Sequence, residues 1–253
     1  MKRVSLILSV VFTVLLAGCF ETTDELTLKS DGSGVMTTTN DMSMLISMAK
    51  SMGGADQMKG ADKATDTVVS LSSLADSISS LSPQEKDLIK NGKLGLNINM
   101  NDEKMIVKLE LPFAKVEQIP SIKAVSGKVS QYFIGKSMTQ GMPGGMDMDG
   151  KMPGLDPLDE FFTTTYTATG IEKKVNKEKY ATIETDEAMK GLKEMSEGGM
   201  PIKNTVIINL PKAAKLVEGK NAQLSEDKKK VTITCTSEDF FDNPSAMEFK
   251  IQY

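Results

Sequence analysis

Between residues 94 and 111 apolar and polar positions alternate twice. Leu94, Leu96, Ile98 and Met100 interleave with Gly95, Asn97 and Asn99; after Asn101-Asp102-Glu103-Lys104, Met105, Val107, Leu109 and Leu111 repeat the pattern. A period of two puts every second side chain on one side of a strand, so the two runs predict a β-hairpin with one buried face, closed by Pro112. Glu21 to Asp41 predicts another strand, turn and strand. Leu26 and Leu28 alternate with polar residues, Asp31-Gly32 offers turn chemistry, and Val35 to Thr39 is rich in β-formers. Further strands are expected at Phe161 to Thr169, Val206 to Leu210 (ended by Pro211), Val231 to Thr236, and Met247 to Tyr253. The charged run Ser225 to Lys230 makes a turn before the third of these.

Other stretches change period. Met42, Leu45, Ile46, Met48, Ala49 and Met52 recur at helical spacing, with Asp41 as the expected N-cap and Gly53-Gly54 as the stop. Residues 53–66 are small and polar and read as a loop. Val68, Leu71, Leu74, Ala75, Ile78 and Leu81 predict a helix from Thr67 to Ser80, on a serine-rich background of modest propensity. Ser82-Pro83-Gln84-Glu85 predicts a capped helix start and Asn91-Gly92 its end. Residues 113–136 are expected to be helical in part, with Pro120 delaying or interrupting the helix. A last helix runs from about Thr185 to Glu197, before Gly198-Gly199. Each clear strand offers only one apolar face. The expected class is therefore α+β: a mostly antiparallel sheet of β-hairpins, roughly six to eight strands, with helices packed on one face. Residues 137–157, rich in Met, Gly and Pro, have no apolar period and read as a loop or linker between an N-terminal half, 19–136, and a C-terminal half, 158–253. One continuous domain and two small ones both fit this pattern.

The first residues have a different character. Lys2 and Arg3 precede a thirteen-residue, mostly apolar run from Val4 to Leu16, followed by Leu16-Ala17-Gly18-Cys19. The run is shorter than the ~20 residues of a membrane-spanning helix but suits the hydrophobic region of a secretory signal. Together these residues resemble the signal peptide and lipobox of bacterial lipoprotein precursors. The resemblance implies that residues 1–18 are cleaved off between Gly18 and Cys19. It also implies that the Cys19 thiol takes a diacylglyceryl group and that the new amino terminus is acylated. A thiolate is the soft nucleophile such a transfer needs, and small Ala17 and Gly18 leave the bond accessible. The other reading is a buried Cys19 ending an uncleaved apolar helix. Several acyl chains, at ~0.8 kcal/mol per buried CH₂, would give stable anchoring. Phe20, rather than Asp, follows the cysteine; by analogy with lipoproteins of two-membrane bacteria this points to the outer membrane, its face left open.

Composition then narrows the chemistry. The 253 residues include no histidine, no tryptophan, two cysteines and 18 methionines. Without histidine there is no Ser-His-Asp or Cys-His nucleophile and no histidine metal ligand. The net charge of −4 moves to −6 once Lys2 and Arg3 leave with the signal, which gives no overall attraction for nucleic acid. Lipidation of Cys19 leaves Cys235 unpaired, on the apolar face with Val231 and Ile233, where a buried cysteine is expected. Lys228-Lys229-Lys230 beside Glu226 and Asp227 reads as a solvated turn.

Two patterns offer metal chemistry. Met138, Met142, Met146, Met148 and Met152 could converge on Cu(I) through their soft thioethers, or could simply belong to a surface linker. Asp147-x-Asp149-Gly150 fits a calcium loop poorly, since Gly150 is at the fourth position and Leu158 at the twelfth. Asp186 with Glu187, and Glu238 with Asp239, are adjacent carboxylates that would serve as acid–base pairs only if a cleft brought them to a substrate. No recognised catalytic spacing occurs. The expectation is a lipid-anchored protein of the bacterial envelope, its folded part a non-enzymatic binding or structural module. It would carry no cofactor beyond the lipid on Cys19 and would meet the membrane and an envelope protein or peptide. Copper handling by the methionine loop, and a hydrolase or isomerase with an unfamiliar site, are the alternatives.

Overall fold

The computed structural model describes residues 20–50, 64–141 and 158–253. Cys19 and most of the methionine loop lie outside them. Twelve strands occur among the described residues: β1 Phe20–Leu28, β2 Gly34–Asp41, β3 Thr65–Ser70, β4 Lys93–Asn99, β5 Lys104–Phe113, β6 Phe162–Thr167, β7 Gly170–Val175, β8 Ile202–Asn209, β9 Leu216–Glu218, β10 Ala222–Leu224, β11 Lys230–Thr236 and β12 Phe249–Gln252. The α-helices are α1 Ser43–Ala49, α2 Pro83–Ile89, α3 Ile119–Gly141, α4 Lys177–Tyr180, α5 Glu187–Glu197 and α6 Ser237–Asp242.

Eight strands form one sheet in the order β10-β11-β8-β1-β2-β5-β4-β3. One interior pair joins the two halves of the chain: β1 and β8 run parallel, Phe20 opposite Ile202 and Thr27 opposite Asn209, while the other pairs are antiparallel. The α+β class holds, with a sheet of mixed rather than purely hairpin construction. Four more strands make a second, antiparallel sheet, β6-β7-β12-β9.

Alternation assigns the faces of the large sheet. Leu26, Leu28, Met36, Val107, Leu109, Leu111, Ile208, Val231 and Ile233 are buried on one side, and Cys235 joins them. That face is covered by α3 and by the second sheet. Leu26, Met36, Val206 and Ile208 meet Ile119 of α3 and Tyr166, Ile171 and Phe249 of the small sheet around a residual cavity of about 40 Å³. On the opposite face the register aligns Thr234, Thr205, Thr23 and Thr39 in a row across four strands, and all four are half-buried or exposed.

Several expectations change. Thr67 to Ser80 is not a helix: Thr65–Ser70 is an edge strand, followed by two 3₁₀ turns at Leu71–Ser73 and Ala75–Ser77. The apolar spacing is still used, since Leu71, Ala75, Ile78 and Leu81 are buried. Single turns suffice to deliver them, and a serine-rich segment has little propensity to hold a longer helix. Val68, assigned to the helical stripe, is 68% exposed on the sheet edge. Residues 137–141, placed in the linker, continue α3 to Gly141. Asp41 ends β2 instead of capping α1 directly, though its Oδ1 still accepts from the Ser43 amide at 2.9 Å. Pro112 does not end β5, which continues to Phe113, beyond Glu110, its last residue paired with β4 (opposite Lys93). Ser82 and Glu85 do form the expected capping box, with the Glu85 carboxylate accepting from the Ser82 amide at 2.8 Å.

Candidate functional site

The hairpin β1–β2 places pairs of residues opposite one another on the inner face, and at one end of it those pairs are polar. Thr22 faces Asn40 and Asp24 faces Thr38, in line with Leu26 opposite Met36. Each polar pair is bonded across the strands: Thr22 Oγ1 donates to Asn40 Oδ1 at 3.2 Å, and Thr38 Oγ1 to Asp24 Oδ1 at 2.7 Å.

Helix α3 lies over this hairpin because Ile119, Ile122, Val125, Val129 and Phe133 fall three or four residues apart and are buried. Ser126 and Ser130, next to two of those positions, are drawn inside with them. Ser126 Oγ donates to Thr38 Oγ1 at 3.4 Å, extending a relay Ser126→Thr38→Asp24. Ser130, only 2% exposed, has no partner for its hydroxyl, and neither does the amide nitrogen of Asn40, 1% exposed. Turning the Asn40 amide over only changes which of its atoms is orphaned. A buried group left unpaired costs about 1–3 kcal/mol. Elsewhere in the core the same chemistry is satisfied: Ser196 and Ser237 bond each other at 2.8 Å, and Ser237 Oγ accepts from the Ile202 amide at 3.1 Å.

A cleft of about 420 Å³ opens beside this polar seam. Thr22, Asp24, Met36 and Thr38 form its floor; Ser126, Gly127 and Ser130 of α3 form one wall, and Phe162, Thr164 and Tyr166 of β6 the other. At Gly127 a Cβ would meet nothing within 4 Å, so the helix leaves the cleft room there. Asp159 stands at the rim as a strut between α3 and the small sheet. Its two oxygens take Lys123 at 2.7 Å and Lys173 at 2.8 Å. Burial raises the Asp159 pKa, but the Lys123 and Lys173 ammonium groups outweigh that and hold the carboxyl well below the usual range. The Lys173 ammonium also sits 4.5 Å from the Phe162 ring centroid.

The residues singled out from the sequence lie elsewhere. Gly18 and Cys19 are outside the described residues, as are Met142, Met146, Asp147, Met148, Asp149 and Met152; Met138 belongs to the last turns of α3. Asp186 is the N-cap of α5, accepting from the amides of Ala188 and Met189, while Glu187 pairs with Lys190. Asp239 closes a capping box with Thr236 at the start of α6, and Glu238 is exposed in the same turn. Asp186 and Asp239 cap helices, and Glu187 and Glu238 lie in the first turns of the same helices. Cys235 is buried, and burial pushes its thiol pKa up, as suits a core cysteine. Among the described residues no group of three carboxylates or thiols is placed to share a metal ion. No described helix is long and apolar enough to cross a membrane. Compared with known proteins, the chain matches no family model, no curated sequence and no solved structure.

Proposed function

We propose that the protein is a membrane-anchored lipoprotein of the bacterial envelope whose folded part is a non-enzymatic binding module. The observation that carries the binding role is the cleft beneath α3, where a core that satisfies its polar groups elsewhere leaves a hydroxyl unpaired beside open volume. The carboxylates at the cleft favour binding over acid–base chemistry. Asp159 is held ionised by two lysines, and Asp24 is already engaged by Thr38.

The anchoring half of the reading rests on the lipobox at Leu16–Cys19. Strand β1 starts at Phe20, directly after the cysteine, and Thr22 of the cleft floor is three residues from Cys19. Extended chain covers at most ~3.6 Å per residue, so the lipid would leave the chain within about 11 Å of Thr22. The cleft would then work close to the membrane surface. Intact-mass analysis of protein extracted from its native membrane tests the anchoring. A chain starting at Cys19 with acyl mass added supports it; residues 1–18 retained, or an unmodified Cys19, overturns it.

A further inference from the structure

We propose that two copies of this chain pair edge to edge through β3, antiparallel about a twofold axis at Val68, so that their large sheets become one. The inference is separate from the cleft under α3 and stands on the outer edge of the large sheet. β3 is the last strand of that sheet and pairs only with β4. An edge strand presents a row of unpaired amides and carbonyls, and folded proteins usually blunt it by shortness, lysine, proline, a bulge or a covering element. β10, at the other end, is three residues long, as is β9 in the small sheet, and β6 has the 3₁₀ turn Val116–Gln118 packed beside it. β3 has six residues, Thr-Asp-Thr-Val-Val-Ser, with neither lysine nor proline and an unbroken register against β4. Val68 is the most exposed large apolar side chain among the described residues.

The direction of the backbone groups follows from the residue after the strand. The Leu71 amide donates to the Gly92 carbonyl at 3.0 Å, one step beyond the Ser70–Lys93 pair. Bonded and non-bonded pairs alternate along an antiparallel ladder, so Thr65, Thr67 and Val69 turn their peptide groups toward β4, and Asp66, Val68 and Ser70 turn theirs outward. The Ser70 carbonyl accepts from Ser73 Oγ at 2.7 Å and keeps its second lone pair. A second β3 laid antiparallel, Val68 facing Val68, meets each outward group with its complement. Val68 exchanges both hydrogen bonds with its copy, and Asp66 exchanges both with Ser70 on either side of the axis. The side chains suit the same register: Val68 packs on Val68 on the open face, and Thr67 on Val69 on the other, all of them β-branched. A shift of two residues one way sets Asp66 against Val68, and the other way carries Asp66 past the end of the partner strand. Charge is complementary as well. Lys93, opposite Ser70 on β4, and Asp66 of the second copy fall in one row of the open face with only Ser70 between them, ~10 Å apart at the backbone. Both are exposed, and neither has an ion-pair partner among the described residues. The twofold axis is perpendicular to the joined sheet, so the Phe20 ends of both β1 strands lie at one depth along it, in keeping with two lipid anchors in a single membrane.

Val68→Pro supplies the test variant. The amide it removes points outward, so the β3–β4 ladder stays whole while the ring blocks the edge. Val68→Lys, at a side chain already exposed, blocks the edge by charge. The full chain in detergent would be followed by sedimentation velocity over a dilution series. The expected result is a concentration-dependent dimer whose dissociation constant rises at least tenfold in both variants. Register would be read by crosslinking, against the background of the buried Cys235. Facing residues at Val68 lie ~5.5 Å apart at Cα, inside disulfide range, so mild oxidation should link Val68→Cys into dimers. Asp66→Cys, whose copy is displaced by four residues along the strand, should stay monomeric. A dimer untouched by both Val68→Pro and Val68→Lys, or linked as well through Asp66→Cys as through Val68→Cys, would overturn the placement. A parent protein that stays monomeric throughout the series would overturn the pairing itself. In that case, protection of Val68→Cys from iodoacetamide would show the edge covered by the chain's own residues, and ready alkylation would assign it to a different partner.

Discussion

Replacing Asp159 with Asn tests the strut that joins α3 to the small sheet. The change keeps the shape of the side chain and removes its charge. Lys173 is then left with a side chain only 9% exposed and the Phe162 ring as its remaining partner. Removing one member of a buried ion pair costs about 3–5 kcal/mol, because the charge left behind has lost its solvation and its partner. The contact with the Phe162 ring is present before and after the change and offsets none of that. Lys123, 23% exposed, can turn toward water and adds at most about 1 kcal/mol. The expected loss is at least about 3 kcal/mol, read as a fall of at least about 1 M in the urea midpoint at pH 7.

Adding Lys173→Met should restore stability to within about 1 kcal/mol of the parent, since the thioether fills the volume of the lysine stem without a charge. Asp159→Asn costing less than about 1 kcal/mol would refute the argument, as would a double variant no more stable than Asp159→Asn alone. The same pair sets a pH dependence. The folded carboxyl titrates below its ordinary value of 3.8, so its contribution is fully present above that pH and is lost as the pH falls below it; Asp159→Asn should remove that part of the acid sensitivity.

Four further outcomes are expected. Glu85 bonds Lys128 at 2.7 Å and closes the cap of α2, which lowers its pKa to about 2; the stability it supplies is present above about 4.5 and drains away toward pH 2, and Glu85→Gln should flatten the unfolding midpoint over that window. Ser130→Ala should be neutral or stabilising by up to about 1 kcal/mol in the ligand-free protein, whereas Ser237→Ala should cost about 1–3 kcal/mol in urea unfolding by orphaning Ser196 and the Ile202 amide; equal effects would contradict the reading of the two sites. Gly34→Ala should cost about 3 kcal/mol, because a Cβ there would run into the Thr27 carbonyl and lie 2.5 Å from the Phe113 ring; a thermal midpoint within a degree of the parent's would refute it. Cys235 should resist alkylation in the folded protein and react on unfolding, as followed by mass spectrometry.

Much of the sheet could be read in the chain because one buried face gives a period of two wherever a strand is long enough. β4 and β5 alternate cleanly, and so do Leu26 and Leu28 in β1. Where that condition failed, the strand was missed. β9 and β10 have three residues each, too few to show a period. β7 places Lys173 on its buried face beside Ile171, so its pattern runs polar where apolar is expected, and only the distant Asp159 explains why. At residues 68–81 helical spacing was present without a helix, because isolated 3₁₀ turns can bury the same four side chains.

The candidate site was hidden by the same logic that revealed the sheet. Thr22 and Asp24 occupy the inner-face positions that continue Leu26 and Leu28, and Thr38 and Asn40 continue Met36. The alternation therefore assigns them to the core; what it does not supply is a reason for polar residues there. Such a reason has to be sought in three dimensions, since each further threonine or serine in a core must find a partner or cost stability. At Ser196 and Ser237 the partner is local and the cost vanishes. At Ser130 it is missing, at the middle of a long helix whose Gly127 keeps the neighbouring volume open. Natural cores that break their own packing rule tend to do so where something else completes them. If stability alone had shaped this part of the fold, Ala at 127 and 130 would serve better at both positions. The presence of Gly and Ser together, beside Asp24 and a cleft, is the physical ground for the binding-module reading of the cleft under α3.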